Sequence, residues 1–429
     1  MPAALTATGR TLPNGVHLAA TAVPHTAAVS LHVASRAGSG SEPAELSGVT
    51  HFVEHMLFRH PSHEPGAFAS AIERLGGQIS AATEPELTVV GAKVLAEAWP
   101  AALEVVAPMV HEPTMDPDEI EKERTVILDE LGMLDDLPEE AARRSVLGRL
   151  WPNHPFGREI AGTATTVRSL TRDALLRRAA AMFAGRNTIV SVAGALDPAA
   201  ALDLLSDAFG SAPAGSREVY PVFHANGQPS ARSQIIRREA EQAYFSIAGF
   251  TPGRSSRHRY ALELLGAVLG AGFGARLVLE LRERHGLAYD IGADVGHCGE
   301  RGVLSIDGAT DPDQVTKAIE IILGELCDVA DRGVTKDEFD RARAYSVGGM
   351  VRSLEDSAVV AAWYAREQAL EPTPLAPGAL IERVRAVTRS DVNACARACL
   401  AQDWPLIAVA GPLRDNVQIP TELVLKGAV

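Results

Sequence analysis

Apolar positions alternate, or run as β-branched stretches, through VHLAATAV (residues 16–23) and AAVSLHVASRA (27–37). With Asn-Gly and Pro as punctuation, this pattern predicts two strands. The period then lengthens: apolar residues recur at helical spacing through HFVEHMLF (51–58) and GAFASAIERLG (66–76), which predicts two helices. A hairpin is expected from Gln78 to about Val94, turning at Glu84-Pro85-Glu86. Helical patterns dominate from there to about residue 182, and NTIVSVAG (187–194) reads as a strand. This order predicts an α+β fold with helices packed on one face of an antiparallel sheet.

The order then repeats. Residues 211–232 are rich in Pro, Gly, Ser and Ala, which places a linker at 213–232. Strands are expected over 233–250, a helix over 257–270, a helix through Leu281-Arg282-Glu283, strands over 287–308, and long helices to about residue 400. A last strand, PLIAVAG (405–411), echoes the earlier one. NTIVSVAGALD and WPLIAVAGPLRD are the clearest traces of an internal repeat, each closing a half of the chain. A length of 429 residues is too great for one ordinary domain. The expected division is 1–212, a linker at 213–232, and 233–429, two homologous α/β halves.

Chemistry concentrates in the first predicted helix. His51, Glu54 and His55 stand at i, i+3 and i+4, so two imidazoles and a carboxylate share one face. Two neutral imidazoles four apart can grip one zinc ion, and a carboxylate beside them can take a proton from water at the metal. With 13 His in 429 residues, chance produces such a string roughly 0.03 times per chain. A catalytic zinc takes a third protein ligand. The charged amphipathic run EIEKERTVILDELGM supplies Glu123 and Glu130, two helical turns apart on one face, with Ile120, Val126, Ile127 and Leu131 at roughly helical spacing.

His-x-x-Glu-His, then about 75 residues, then Glu-x6-Glu resembles the pitrilysin/insulinase family of zinc peptidases. The closer likeness is to its short branch of bacterial processing-peptidase-like proteins. LPNGV (12–16), GGQISAATEPELT (76–88) and HPFGREIAGT (154–163) extend the likeness. LVLELRERHGLAYDIGA (277–293) resembles the second-half signature of that family, an Arg and a Tyr seven apart, here Arg282 and Tyr289. The resemblance implies one Zn2+ per chain on His51, His55 and Glu130, with Glu54 as general base and Glu123 orienting a ligand histidine. It implies that Arg282 and Tyr289 steady the tetrahedral intermediate, and that the strand around Ser80 and Ala81 aligns an extended peptide by backbone pairing. The family usually has Asn-Ala where this chain has Ser80-Ala81, and an aromatic where Val90 stands, which bears on substrate preference. The implied activity is zinc endopeptidase cleavage of extended, leader or signal peptides enclosed in a chamber, by a homodimer. The alternatives are a subunit acting only with a paralogous partner and a non-catalytic structural core subunit.

Composition removes other classes. A net charge of −14 argues against general affinity for nucleic acid or anionic lipid. No stretch approaches 18 uncharged apolar residues, and the N-terminus lacks a charged segment followed by an apolar run, so a cytoplasmic protein without membrane partners is expected. Four late cysteines form no disulfide framework, and Cys395 and Cys399 read as small buried residues on one helix face. The glycines of LGAGFGARL (269–277) follow a helical segment, not a strand, which argues against a dinucleotide loop. His60 and His63 read as exposed loop residues, and His285 and His297 as solvated.

Overall fold

The computed structural model describes residues 5–59, 66–224, 231–400 and 405–423. They form two compact units. The first is Met1–Leu131, Glu159–Pro221 and Met350–Leu380; the second is Gly132–Arg158, Val222–Gly349 and Ile381–Val429. His60 and His63 lie outside the described residues.

The first unit holds strands β1 (Thr8–Thr11), β2 (His17–Ala22), β3 (Ala28–Ser35), β4 (Gln78–Thr83), β5 (Thr88–Leu95) and β6 (Thr188–Gly194). Their order in the sheet is β1-β2-β6-β3-β5-β4, with β4 at an edge. Helices α1 (Val49–Met56), α2 (Ala67–Arg74), α3 (Trp99–His111) and most of α4 (Pro117–Asp136) also belong here. Alternation along β3 sends Val29, Leu31 and Val33 into one core with Leu103, Val106 and Val110 of α3. The opposite face is also covered. Ala34 and Ile189 meet Ala365 and Ala369 of the helix Ser357–Leu370, and the hydroxyls of Ser30 and Ser357 are 2.9 Å apart. Every residue of β6 is buried, as suits a near-continuous apolar strand packed on both faces.

The second unit holds β7 (Ser233–Arg237), β8 (Ala243–Pro252), β9 (Ile291–Cys298), β10 (Arg301–Thr310) and β11 (Leu406–Gly411), ordered β7-β11-β8-β10-β9. Helix α5 (Pro138–Leu150) packs against β8 and β11, and Ser145 donates a 2.8 Å hydrogen bond to Gln234 Oε1. The segment after Ala275 is a turn of α-helix, Arg276–Val278, continued as a π-helix over Leu279–Arg284. Cys395 and Cys399 are buried and free.

The internal repeat is exact in topology. The order β2-β6-β3-β5-β4 of the first sheet recurs as β7-β11-β8-β10-β9 in the second. The echoing segments NTIVSVAG and PLIAVAG become β6 and β11, and the glycine ending each has a physical reason. A Cβ at Gly194 would lie 2.3 Å from the carbonyl oxygen of Ala28, and one at Gly411 2.8 Å from that of Gln242.

Three features differ from the sequence reading. Each sheet contains one parallel pair, β2 with β6 and β7 with β11, so the sheets are mixed though mostly antiparallel. The first sheet carries helices on both faces, not one. Its second cover, Ser357–Leu370, comes from beyond the linker, while α5 precedes the linker yet packs in the second unit. The units therefore exchange segments, whereas the division at 213–232 treats each half as contiguous. Periodicity shows that a helix has an apolar face but not which sheet receives it.

Candidate metal centre

Helix α1 is fixed from below and at its start. Phe52, Val53 and Met56 are fully buried in the core of the first unit. Each contributes roughly 1.5–3 kcal/mol by leaving water. That anchorage turns His51, Glu54 and His55 to the remaining face. The helix begins at Gly48, whose φ is 92° and where a Cβ would lie 2.5 Å from the Ala161 carbonyl oxygen. The buried Glu42 carboxylate accepts hydrogen bonds from the Gly48 and Thr50 backbone N–H groups, at 2.8 and 2.7 Å. An anion there satisfies two free donors and the positive end of the helix dipole.

Helix α4 buries Ile120, Ile127 and Leu131 and so aims Glu123 and Glu130 at α1. Val126, counted with the apolar set by spacing, is instead 46% exposed. Glu130 Oε2 lies 3.7 Å from Nε2 of both His51 and His55. The three donor atoms lie within 4.8 Å of one another, and among the described residues no other His, Cys, Asp or Glu group is this compact. Ligands around a tetrahedral ion with bonds of 2.0–2.1 Å sit roughly 3.4 Å apart, so the set is near metal-binding geometry.

Electrostatics supports the fit. Burial, then the neighbouring His55, pushes the His51 imidazole down to about 4, leaving it neutral with a lone pair to donate. Burial presses His55 the same way. The hydrogen bond to Glu123 and the surrounding carboxylates outweigh it, so its pKa rises. Glu123 Oε1 lies 2.8 Å from His55 Nδ1, which directs Nε2 toward Glu130 and His51. Glu123 itself is held below the ordinary carboxylate range: burial opposes this, but His55 and Arg59 prevail. Arg59 Nη2 is 2.6 Å from Glu123 Oε2, an ion contact rather than an aligned hydrogen bond. Three carboxylates (Glu54, Glu123 and Glu130) therefore face one guanidinium and two imidazoles, an arrangement that a divalent cation neutralises. His51 Nδ1 is buried without a hydrogen-bond partner. Glu54 accepts a 2.9 Å hydrogen bond from the Thr83 hydroxyl, and burial raises its pKa against that bond.

The structure thus brings His51, Glu54, His55, Glu123 and Glu130 together. Ser80 and Ala81 stand on the edge strand β4, Ser80 outward and Ala81 inward. Arg282 and Tyr289 meet each other in the second unit. The guanidinium lies 4.7 Å from the Tyr289 ring centroid and 5.1 Å from that of Phe273, and both rings are largely exposed. The His297 side chain is enclosed beside Glu263, not solvated as its surface reading expects. Thr83 and Arg59 escaped the sequence reading. Arg59 stands four residues after His55, and alternation from Ala81 sets Thr83 on the inward side of β4, so spacing held a signal for both.

Two family models match successive parts of the chain. The family model described as insulinase (peptidase family M16) matches residues 16–164, and that of the peptidase M16 inactive domain matches residues 169–345. A protein of Mycobacterium tuberculosis described as an uncharacterized zinc protease is 33% identical over 435 residues, covering 98% of this chain and 97% of that one. A Streptomyces coelicolor protein with the same description is 28% identical, covering 95% and 90%. Among solved structures, a protease from Helicobacter pylori superposes with a TM-score of 0.87 at 20% identity, covering 95% of this chain and 99% of that one. At that identity the likeness speaks for the fold.

Proposed function

We propose that this chain, which belongs to the insulinase (M16) family of peptidases, hydrolyses peptide bonds with one zinc ion held by His51, His55 and Glu130. The observation that carries this reading is the convergence of those three donor atoms beside the buried carboxylate of Glu54. A bound zinc ion supplies a Lewis acid that polarises the scissile carbonyl and makes water acidic enough to attack at neutral pH. Glu54 takes the proton of the attacking water and returns it to the leaving amine, a task suited to a carboxylate whose basicity burial has raised. Glu123 holds His55 in the tautomer that leaves Nε2 free.

An extended peptide adds to the free edge of β4, where backbone groups near Ser80 and Ala81 fix its register. Arg282 and Tyr289 offer a guanidinium and a phenol as fixed donors to the tetrahedral intermediate. The substrates of this reading are leader, signal or other extended peptides. The working form is a cytoplasmic two-fold homodimer that encloses them. Among the described residues no helix is long and apolar enough to cross a membrane.

The test is incubation of the purified protein with a peptide library, followed by mass spectrometry of the products. Cleavage is expected with zinc, loss with a chelator, and recovery when zinc is returned. Cleavage that survives complete removal of metal would contradict the reading.

A further inference from the structure

A general base works only if its carboxylate is aimed. Helix α1 fixes the Glu54 backbone, yet the side chain keeps three rotatable bonds. Among the described residues one hydroxyl restrains it: Thr83 Oγ1 donates to Glu54 Oε2 at 2.9 Å. Thr83 is well mounted for this. It ends the edge strand β4, with Ile79 and Ala81 on the same inward side packed against the core. Its register partner Thr88 is fully buried and donates to the Ala37 carbonyl oxygen at 2.8 Å, and Glu84 N–H closes the hairpin onto Leu87 O at 2.8 Å.

We propose that Thr83 is a positioning residue that holds one oxygen of Glu54, leaves the other to accept the proton, and ties the aim of the base to the strand on which the peptide lies. This rests on Glu54 being the general base and on β4 aligning the substrate. Because the restraint comes from the edge strand, a peptide that pairs with β4 stiffens the element that orients the base.

The experiment compares Thr83→Val, which keeps the shape and removes the hydroxyl, with Thr83→Ser, which restores it. The zinc-loaded full chain is used with the peptide cut fastest in the library. Hydrogen bonds to charged groups are strong enough that Thr83→Val should lower kcat roughly 10-fold or more. KM, zinc content and melting temperature should stay at the wild-type values, and Thr83→Ser should recover most of the loss. Should Thr83→Val fold poorly, Thr83→Ala serves in its place against the same Ser rescue. Wild-type kcat in the hydroxyl-free variant, or a serine variant as slow as it, overturns the proposal while the peptidase reading stands. A zinc-loaded wild-type chain that cuts no peptide overturns the underlying reading instead.

Discussion

Glu123 stands 2.8 Å from the Nδ1 atom of His55 and, through its other oxygen, 2.6 Å from Arg59. The carboxylate is nearly inaccessible, at 4% exposure, so it acts on the imidazole and not on solvent. Partners of this kind orient ligand histidines, and their loss typically weakens metal binding roughly 10–100-fold. Glu123→Ala should therefore raise the zinc dissociation constant by that factor in a competition titration. Glu123→Gln, which keeps an acceptor without the charge, should fall between it and the wild type.

Tyr289 is 79% exposed and rests against the Arg282 guanidinium. So exposed a hydroxyl does little for stability. If it stabilises the intermediate, Tyr289→Phe should lower kcat by roughly 10²–10³, the usual effect of one oxyanion donor. Melting temperature and zinc content should not change. Steady-state kinetics and calorimetry on one preparation check both halves of the prediction.

His32 links folding to pH. On β3 its ring fills the space beside Gly91, and burial, opposed by Asp356, pushes its pKa from 6.5 down to about 4. The unfolded chain therefore binds a proton in this window that the folded chain does not. Stability is fully present above about 6.5 and is lost as pH falls toward 4. Melting temperatures recorded across that window should fall less steeply for His32→Gln than for the wild type.

Assembly is a separate matter. The proposed enclosure of a peptide calls for a second copy of this chain, and a two-fold pair is the simplest closed solution. Light scattering at catalytic concentration should give twice the mass of one chain. Full activity from a monomer would remove the dimer from the proposed function.

Most of the element order was legible because the apolar period changes sharply: β2, β3, the β4–β5 hairpin and β6 fall within a residue or two of the patterned segments. The convergence of His51, Glu54 and His55 was legible because helical geometry is local. The exchange of α5 and Ser357–Leu370 was not, since packing partners far along the chain leave no local period. The parallel pairs β2–β6 and β7–β11 were hidden for the same reason: register between distant strands is set by tertiary packing. The region read as a linker is partly docked, with the Tyr220 hydroxyl donating to the Arg36 carbonyl oxygen at 2.6 Å. Its Pro and Gly content coincides with one of the points where the chain passes from one unit to the other, but gave no sign of this anchor.

The most direct measurement is zinc content and peptide turnover of Glu54→Gln, taken side by side on one sample. Glu54 is assigned the proton and His51, His55 and Glu130 the metal, so the variant should hold about one zinc per chain and lose nearly all turnover. A variant that cuts the same peptides at the wild-type rate, or that loses its zinc, would contradict that division of roles.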